Sequence, residues 1–237
     1  MLSRGNPRHG VPGVLDSDDC RSFQSMWPET EKTHELLAGA KQGDPSAVNQ
    51  LLDRHARSVQ RMVRMRLDQR IQARVGVSDV VQDVMVEANR RLRDYLENPT
   101  MAFHLWLRQI AKDRIIDAHR RHRASAKRSV DREHAAVPLG EERSSIELAA
   151  QLCDPQLTPA AAATQRELAH RVEHSLADLG DQDCEIIIMR NYEQLSNQEV
   201  AEALGLTEAA ASMRYLRAIR RLRSLLYEPP SRGAGIP

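Results

Sequence analysis

Five arginines near the C-terminus are the side chains of this sequence that point most directly to a chemistry. They are Arg214, Arg217, Arg220, Arg221 and Arg223, and no acidic residue lies between positions 209 and 227. Guanidinium groups bind phosphates, and they can also read guanine edges with two hydrogen bonds. These residue types indicate binding of nucleic acid rather than catalysis.

The residues before and among these arginines predict the element that carries them. Ser196 and Glu199 have the spacing of a capping box, which marks the start of a helix. Gly205 tolerates the left-handed conformation that ends a helix, and Thr207 can cap the next one. Apolar residues at helical spacing on that second helix would turn the arginines outward. The pattern predicts a helix-turn-helix that docks on DNA, with an ordinary amphipathic hairpin as the alternative.

A second group of charged residues lies in the first half of the chain. Asp79, Asp83 and Glu87 recur at four-residue spacing with Gln82 beside them, so they would share one face of a helix. We call these four residues the acidic stripe. Taken alone, the stripe is better explained as a solvated face whose acids favour the helix N-terminus.

The next predicted helix combines aromatic and basic residues. Aromatic rings beside basic groups suit unpaired bases, because stacking needs an exposed base face. Phe103 and Trp106 supply the rings, although Trp106 also falls on the apolar stripe of its helix, which favours core packing for it. Five basic residues of this segment are candidate partners of the nucleic acid: Lys112, Arg114, Arg120, Arg121 and Arg123.

Composition and charge limit the class of protein. The 237 residues contain 3% aromatic residues, which favours helices over sheets. Net charge is only +1, but residues 104–128 hold eight Lys or Arg against two Asp. Three widely spaced cysteines predict neither a disulfide framework nor a zinc site. We also expect no signal peptide and no membrane segment, hence a cytoplasmic protein.

The helical periodicity divides the chain into two parts. We expect an all-α protein with small helical domains at 33–123 and 165–227, joined by a flexible linker at 124–164. A transient helix at Ile146–Leu152 is compatible with that linker. Gly and Pro without sustained periodicity predict a disordered extension at 1–32, and we expect a disordered tail at 228–237. Ser78 is a candidate cap for the helix of the acidic stripe.

Both halves resemble one protein family. VSDVVQDVMVEANRRL followed by FHLWLRQIAKDRIIDAHRRHR resembles regions 2.2 to 2.4 of bacterial RNA polymerase sigma factors of the extracytoplasmic-function (ECF) class. Their region 4 resembles the segment SNQEVAEALGLTEAAASMRYLRAIRRL. Within it, the sequence LTEAAASMRYLRA is most similar to planctomycete-type members. Regions 2 and 4 would correspond to the two predicted domains.

The resemblance implies a role for each group of residues. The acidic stripe would dock on the clamp helices of the largest subunit of core RNA polymerase, and an anti-sigma factor would be a further candidate partner. The segment around 98–123 would open and read the −10 promoter element, and the helix from Thr207 would read the −35 element. The implied −10 contacts are Phe103, His104, Trp106, Lys112, Arg114, Arg120, Arg121 and Arg123. The implied −35 contacts are Thr207, Glu208, Ser212, Arg214, Arg217, Arg220 and Arg221.

Two other classes of protein compete with this interpretation. A free-standing helix-turn-helix regulator would need a ligand cavity or a dimer interface in 33–123, and would leave the acidic stripe without a partner. An enzyme is not expected, because the sequence has no glycine-rich phosphate loop and no set of nucleophile and base. His119 and His122 have no accompanying Cys or acidic cluster, so neither a metal nor a cofactor is expected.

Overall fold

The regular structure of the chain is helical throughout the part that can be described. The computed structural model describes residues 26–28, 30–67, 75–126, 142–152 and 161–227, with backbone alone at 122–126, 142–143, 150–151 and 161–166. Within these ranges the helices are α1 (Thr30–Lys41), α2 (Pro45–Arg66), α3 (Val77–Glu97), α4 (Phe103–Ala126), α5 (Glu142–Leu152), α6 (Ala161–Ala177), α7 (Asp181–Ile187), α8 (Asn197–Leu204) and α9 (Glu208–Tyr227). No strand occurs in them, so the prediction of an all-α fold is confirmed.

Helices α1 to α4 pack together as one unit, which we call the N-terminal unit. Asp44 caps α2 by accepting from the backbone N–H of Ser46 at 2.8 Å, and Pro45 occupies the first helical position. The apolar residues of α2 recur at helical spacing, so one face of this helix packs on α3 and α4. Met62 and Val84 are fully buried in the resulting core.

The N-terminal unit begins earlier than the sequence indicated. Helix α1 starts at Thr30, and the side chains of Met26 and Trp27 are buried within the region expected to be a disordered extension. Ser58 of α2 donates a hydrogen bond of 2.7 Å to the Met26 carbonyl, which fastens this segment to the core. The prediction of disorder was therefore wrong for 26–28 and 30–32, while residues 1–25 and 228–237 lie outside the described part.

Helix α3 also starts differently from the prediction. Gly76, rather than Ser78, stands at the cap position, and its carbonyl accepts from the N–H groups of Asp79 and Val80 at 3.0 and 3.3 Å. Ser78 lies inside the first turn. The acidic stripe keeps the helical spacing that the sequence implied.

Helices α5 to α9 form a second unit, which we call the C-terminal unit. Helix α5 lies in the segment expected to be a flexible linker, yet it packs on α6 with Leu148 and Leu152 buried. Ser145 of α5 donates to Glu173 at 2.6 Å and lies 3.2 Å from the Tyr192 hydroxyl. The sequence predicted at most a transient helix at Ile146–Leu152 within a linker, whereas the structure has a longer helix that packs on α6.

A tight connection joins α7 to the helix-turn-helix. A single π-helical turn, Ile188–Tyr192, follows α7, and Gln194 then adopts a φ of 57°, a left-handed conformation that is uncommon for a residue with a side chain. Tyr192 is fully buried beneath this connection. Chain reversal here brings α9 against α7 and α8 against the π-helical turn, and α8 also contacts α4 of the N-terminal unit.

Candidate nucleic-acid interface

The C-terminal unit contains the helix-turn-helix that the sequence predicts. Ser196 accepts from the Glu199 amide at 3.2 Å, and the Glu199 carboxylate accepts from the Ser196 amide at 2.7 Å, so the capping box is complete. Gly205 ends α8 with φ 63° and ψ 37°. Thr207 then accepts from the Ala210 amide at 3.2 Å and caps α9. All three local predictions are confirmed.

Helix α9 separates an apolar face from a basic one. Ala211, Ala218 and Leu222 are buried against the rest of the C-terminal unit. Tyr215 lies beside them, with the guanidinium of Arg190 5.6 Å from its ring centroid. The candidate −35 contacts differ in exposure. Thr207, Glu208, Arg217, Arg220 and Arg221 are exposed, whereas Ser212 and Arg214 are half-buried.

The acidic stripe on α3 divides into an exposed and an occupied part. Asp79, Gln82 and Asp83 are exposed, and Val86 beside them is 62% exposed. Glu87 is buried because the arginines of its own unit surround it. It accepts from Arg90 at 2.7 Å and from Arg91, contacts that lower the pKa of its carboxyl group.

Part of the basic helix α4 faces this stripe. Arg114 lies 3.6 Å from Glu87, and Arg121 lies 3.5 Å from Asp83. The two helices border an open groove of about 380 Å³, where candidate polymerase contacts and candidate DNA contacts adjoin. The residues lining the groove are Asp83, Val86, Glu87, Arg114, Asp117, Arg120 and Arg121. Arg120 is exposed, and the side chain of Arg123 lies outside the described part.

The aromatic residues of α4 belong to a cluster in the core. Phe103 is only 3% exposed, and its ring meets His55 edge-on at 4.9 Å and Tyr95 at 5.6 Å between centroids. Trp106 is half-buried and stacks at a tilt on Tyr95 at 4.7 Å. Burial lowers the pKa of His55 to about 4. Phe103 is thus largely covered by core side chains, and it also lines the cavity beside the loop before α4.

The loop before α4 borders a cavity of about 300 Å³. The Tyr95 hydroxyl donates to the Met101 carbonyl at 2.9 Å and so fixes the path of the loop. Its lining comes from the loop, from α1 and Pro28 before it, and from the core aromatic cluster: Pro99, Met101 and Ala102; Pro28, Thr30, Thr33, His34 and Leu37; and His55, Tyr95, Phe103 and His104. Its volume makes the cavity a candidate site for a flipped base, and the candidate contact His104 lies at its edge.

The remaining face of α4 contacts the C-terminal unit through ion pairs. His104 lies 2.8 Å from Glu199, and Lys112 lies 3.1 Å from Glu185. Arg108, between them on the same face, contacts Glu185 at 2.7 Å and also contacts Glu193. His104 and Lys112 were candidate DNA contacts, whereas the sequence analysis did not single out Arg108.

Arg66 at the end of α2 completes this group. It donates to Glu185 at 2.8 Å and to Glu193 at 2.6 Å. We call Arg66, Arg108, Lys112, Glu185 and Glu193 the inter-unit ion cluster. Burial alone would raise the pKa of Glu185, but the charges of the two arginines hold it far below its usual range.

The four-residue spacing of His104, Arg108 and Lys112 could have revealed this face of α4 from sequence. Nothing in the sequence indicates its partners, because they are distant in the chain. Glu185 lies 73 residues after Lys112, and Glu193 lies 85 residues after Arg108. From the sequence, Lys112 is only one member of a basic run. The structure shows that the run is divided between two opposing surfaces.

The described residues contain neither a membrane-spanning helix nor a metal-binding cluster. Among their helices, none combines the length and apolar character needed to cross a bilayer. In the same ranges, no three His, Cys, Asp or Glu side chains come together in a way that could hold a metal ion.

Comparison with known proteins assigns the chain to a family. A family model described as ECF sigma factor matches residues 30–224. The ECF RNA polymerase sigma factor SigD of Mycobacterium tuberculosis is 29% identical over 214 residues, which cover 90% of this chain and 92% of SigD. The RNA polymerase sigma factor CnrH of Cupriavidus metallidurans is 29% identical over 192 residues, covering 81% and 92%.

A solved structure agrees with these matches. The structure of CnrH in complex with the cytosolic domain of CnrY superposes with a TM-score of 0.51 at 26% identity, over 83% of this chain and 97% of that chain. The family match spans both helical units, including the capped helix-turn-helix and the acidic stripe. The chain belongs to the ECF sigma factors, which direct RNA polymerase to promoters.

Proposed function

We propose that the two units divide the work of promoter recognition, with α9 reading the −35 element and the N-terminal unit binding core polymerase and the −10 element. The observation that carries this proposal is that one chain has two exposed surfaces of opposite charge. Asp79 and Asp83 are exposed on α3, while Arg217, Arg220 and Arg221 are exposed on the second helix of a capped helix-turn-helix. Basic groups on the polymerase and phosphates on the duplex are their respective partners.

The acidic stripe contributes to polymerase binding through its exposed part. Asp79, Gln82 and Asp83 are available to a partner, and the exposed Val86 adds an apolar contact at the same place. Glu87 instead holds Arg90, Arg91 and Arg114 in position beside the stripe. In this proposal the clamp helices of the largest polymerase subunit are the docking site.

Promoter melting follows from preferential binding of the unpaired state. A subunit without an energy source can open DNA only if it binds extruded bases more tightly than the duplex, and each extruded base costs a few kcal/mol. The cavity beside Met101 and His104 is our candidate for the extruded base. Arg120 and Arg121, exposed farther along α4, are candidates for the strand's phosphates.

We place the protein in the cytoplasm with core polymerase, and we assign it no enzymatic activity of its own, as for sigma factors in general. An anti-sigma factor is a further candidate partner. The likeness to CnrH, which was solved with the cytosolic domain of CnrY, supports that candidate.

The arginine face of α9 can be tested directly. We expect Arg214→Ala and Arg217→Ala each to weaken binding of the full chain to duplex promoter DNA and to reduce the salt slope by up to about one unit per lost phosphate contact. Fluorescence anisotropy across a salt series measures both quantities. Lys41→Ala, which removes one exposed charge from α1, is the matched control and should leave the slope unchanged. Unchanged slopes for both arginine variants would contradict the groove-facing orientation of α9.

A further inference from the structure

The outward face of α9 carries two apolar side chains among its arginines. Met213 is 54% exposed and Leu216 is 46% exposed, which makes them two of the five exposed large apolar side chains in the described part of the chain. A single exposed leucine is ordinary, but these two lie side by side at three-residue spacing on one helix. An adjacent apolar pair inside a basic surface favours contact with a partner over simple exposure to solvent.

The direction of the pair follows from the geometry of the helix. At 3.6 residues per turn, Met213 lies about 140–160° around α9 from the buried Ala211 and Ala218. Leu216 and Arg217 lie within about 60° of Met213. The Nε atom of Arg217 donates to the Met213 carbonyl at 3.4 Å, so the arginine side chain begins directly beside the apolar pair. The pair therefore points away from the C-terminal unit, on the side of α9 that Arg217 shares.

The position of the pair along α9 is one that reaches base edges. In a helix-turn-helix the N-terminal part of the second helix approaches the bases, and Met213 and Leu216 lie in the first half of Glu208–Tyr227. The exposed Ala209 and Ala210 before them have no hydrogen-bonding side chain. A rise of about 1.5 Å per residue separates the pair by about 4.5 Å along the helix axis, close to the spacing of about 3.4 Å between successive base pairs. The two side chains can therefore reach neighbouring base pairs.

An apolar side chain in the major groove distinguishes thymine from the other bases. The C5-methyl group of thymine is the only methyl group at that edge of the base pairs, where the remaining groups are largely hydrogen-bond donors and acceptors. Methionine and leucine can cover this methyl group, and they offer no hydrogen bond to the other bases. The arginines around the pair attract phosphates, which carry no sequence information by themselves. The charge of this face fits DNA, and its apolar centre fits thymine.

We propose that Met213 and Leu216 are specificity-determining residues that contact the C5-methyl groups of thymines at neighbouring positions of the −35 element. This inference rests on the proposed function, in which α9 reads that element. Arg217 and Arg220, both exposed, hold α9 in the major groove through phosphates, and the apolar pair selects the sequence. Apolar surface that faces water in the free protein is covered by the bases in the complex, which favours binding.

The test removes single methyl groups from the DNA. The probe is a promoter duplex recovered by run-off transcription, in which each thymine of the −35 element is replaced in turn by deoxyuridine, a base that lacks only the methyl group. Fluorescence anisotropy measures binding of the full chain as holoenzyme with core RNA polymerase. The variants are Met213→Ala, Leu216→Ala and the apolar replacement Met213→Leu. Tyr227→Ala is the matched control, because it removes an exposed apolar side chain from the far end of α9.

The expected loss is about three- to fivefold in affinity for each methyl group that the pair covers. Wild-type and Tyr227→Ala holoenzymes should show this loss at one or two thymines. Met213→Ala and Leu216→Ala should each abolish it at one position, whereas Met213→Leu should retain it because the side chain stays apolar. A −35 element without thymine on either strand, or affinities that no deoxyuridine changes, would overturn the proposal.

Failure of the methyl contact can be told apart from failure of the proposed function. A holoenzyme that starts at specific promoters and loses affinity in Arg217→Ala, but does not respond to deoxyuridine, retains the −35 role of α9 and loses only the thymine readout. Binding that is independent of the −35 sequence would instead contradict the proposed function. Weaker assembly of Met213→Ala and Leu216→Ala with core polymerase, with the deoxyuridine effect intact, would overturn the proposal and assign the pair to a protein contact.

Discussion

Replacing Phe103 by alanine is expected to lower the free energy of unfolding by about 3–5 kcal/mol. The ring is buried where α4 begins, and its contacts with His55 and Tyr95 add aromatic pair energies of about 0.5–1.5 kcal/mol each to the loss of apolar burial. Denaturant unfolding followed by circular dichroism measures the change. Phe103→Leu, which keeps most of the volume, should recover much of the stability.

The same variant decides between two roles for Phe103. The sequence and the family resemblance imply that this ring stacks on an unpaired base, whereas its burial favours a structural role. We therefore expect Phe103→Ala to reduce closed-complex binding and permanganate-detected melting together, without rescue by a premelted template. A selective loss of melting that a premelted template restores, in a variant of normal stability, would establish the stacking role instead.

Reversing the charge of Asp83 is expected to weaken binding to core RNA polymerase by about 2 kcal/mol, roughly 30-fold. Asp83 is exposed on α3 at the centre of the acidic stripe, so lysine there would repel a basic partner surface. Its contact with Arg121 is exposed on both sides and contributes little to folding. Helical content should therefore remain unchanged.

Asp53→Lys is the matched control for Asp83→Lys. It makes the same change in charge at an exposed position of α2, outside the stripe. Surface plasmon resonance with immobilised core polymerase measures both variants at several salt concentrations. Equal affinities for Asp83→Lys, Asp53→Lys and the wild type would remove the stripe from the polymerase interface.

Some features of the fold were predictable because they depend only on residues that are close together in the sequence. The capping box at Ser196, the left-handed Gly205 and the Thr207 cap each depend on residues within one turn of helix. The outward direction of Arg217 follows from the buried positions of its own helix. Periodicity and capping chemistry need no knowledge of the rest of the chain.

Features that depend on distant contacts were not predictable in the same way. Trp27 lies in a segment without periodicity, and it is buried because α2 and α4 provide the surface beneath it. Helix α5 is short and marginal by itself, and it is held by Ser145 and by its apolar contacts with the C-terminal unit.

The most important of these features is that the cations of α4 face two different units. The sequence shows a run of cations but not their partners. The structure directs Arg121 to Asp83 of the same unit and Arg108 to Glu193 of the other. Which cations meet DNA therefore depends on the relative position of the units, and single-sequence patterns do not encode that position.

The measurement that tests the account most directly is run-off transcription from a genomic fragment library with core RNA polymerase of the same organism, with and without this protein. We predict discrete transcripts that require both components, with start sites downstream of shared −35 and −10 elements, and their loss in Asp83→Lys but not in Asp53→Lys. Duplex binding that is independent of core polymerase, with no new transcripts, would contradict the account and identify the chain as a free-standing regulator.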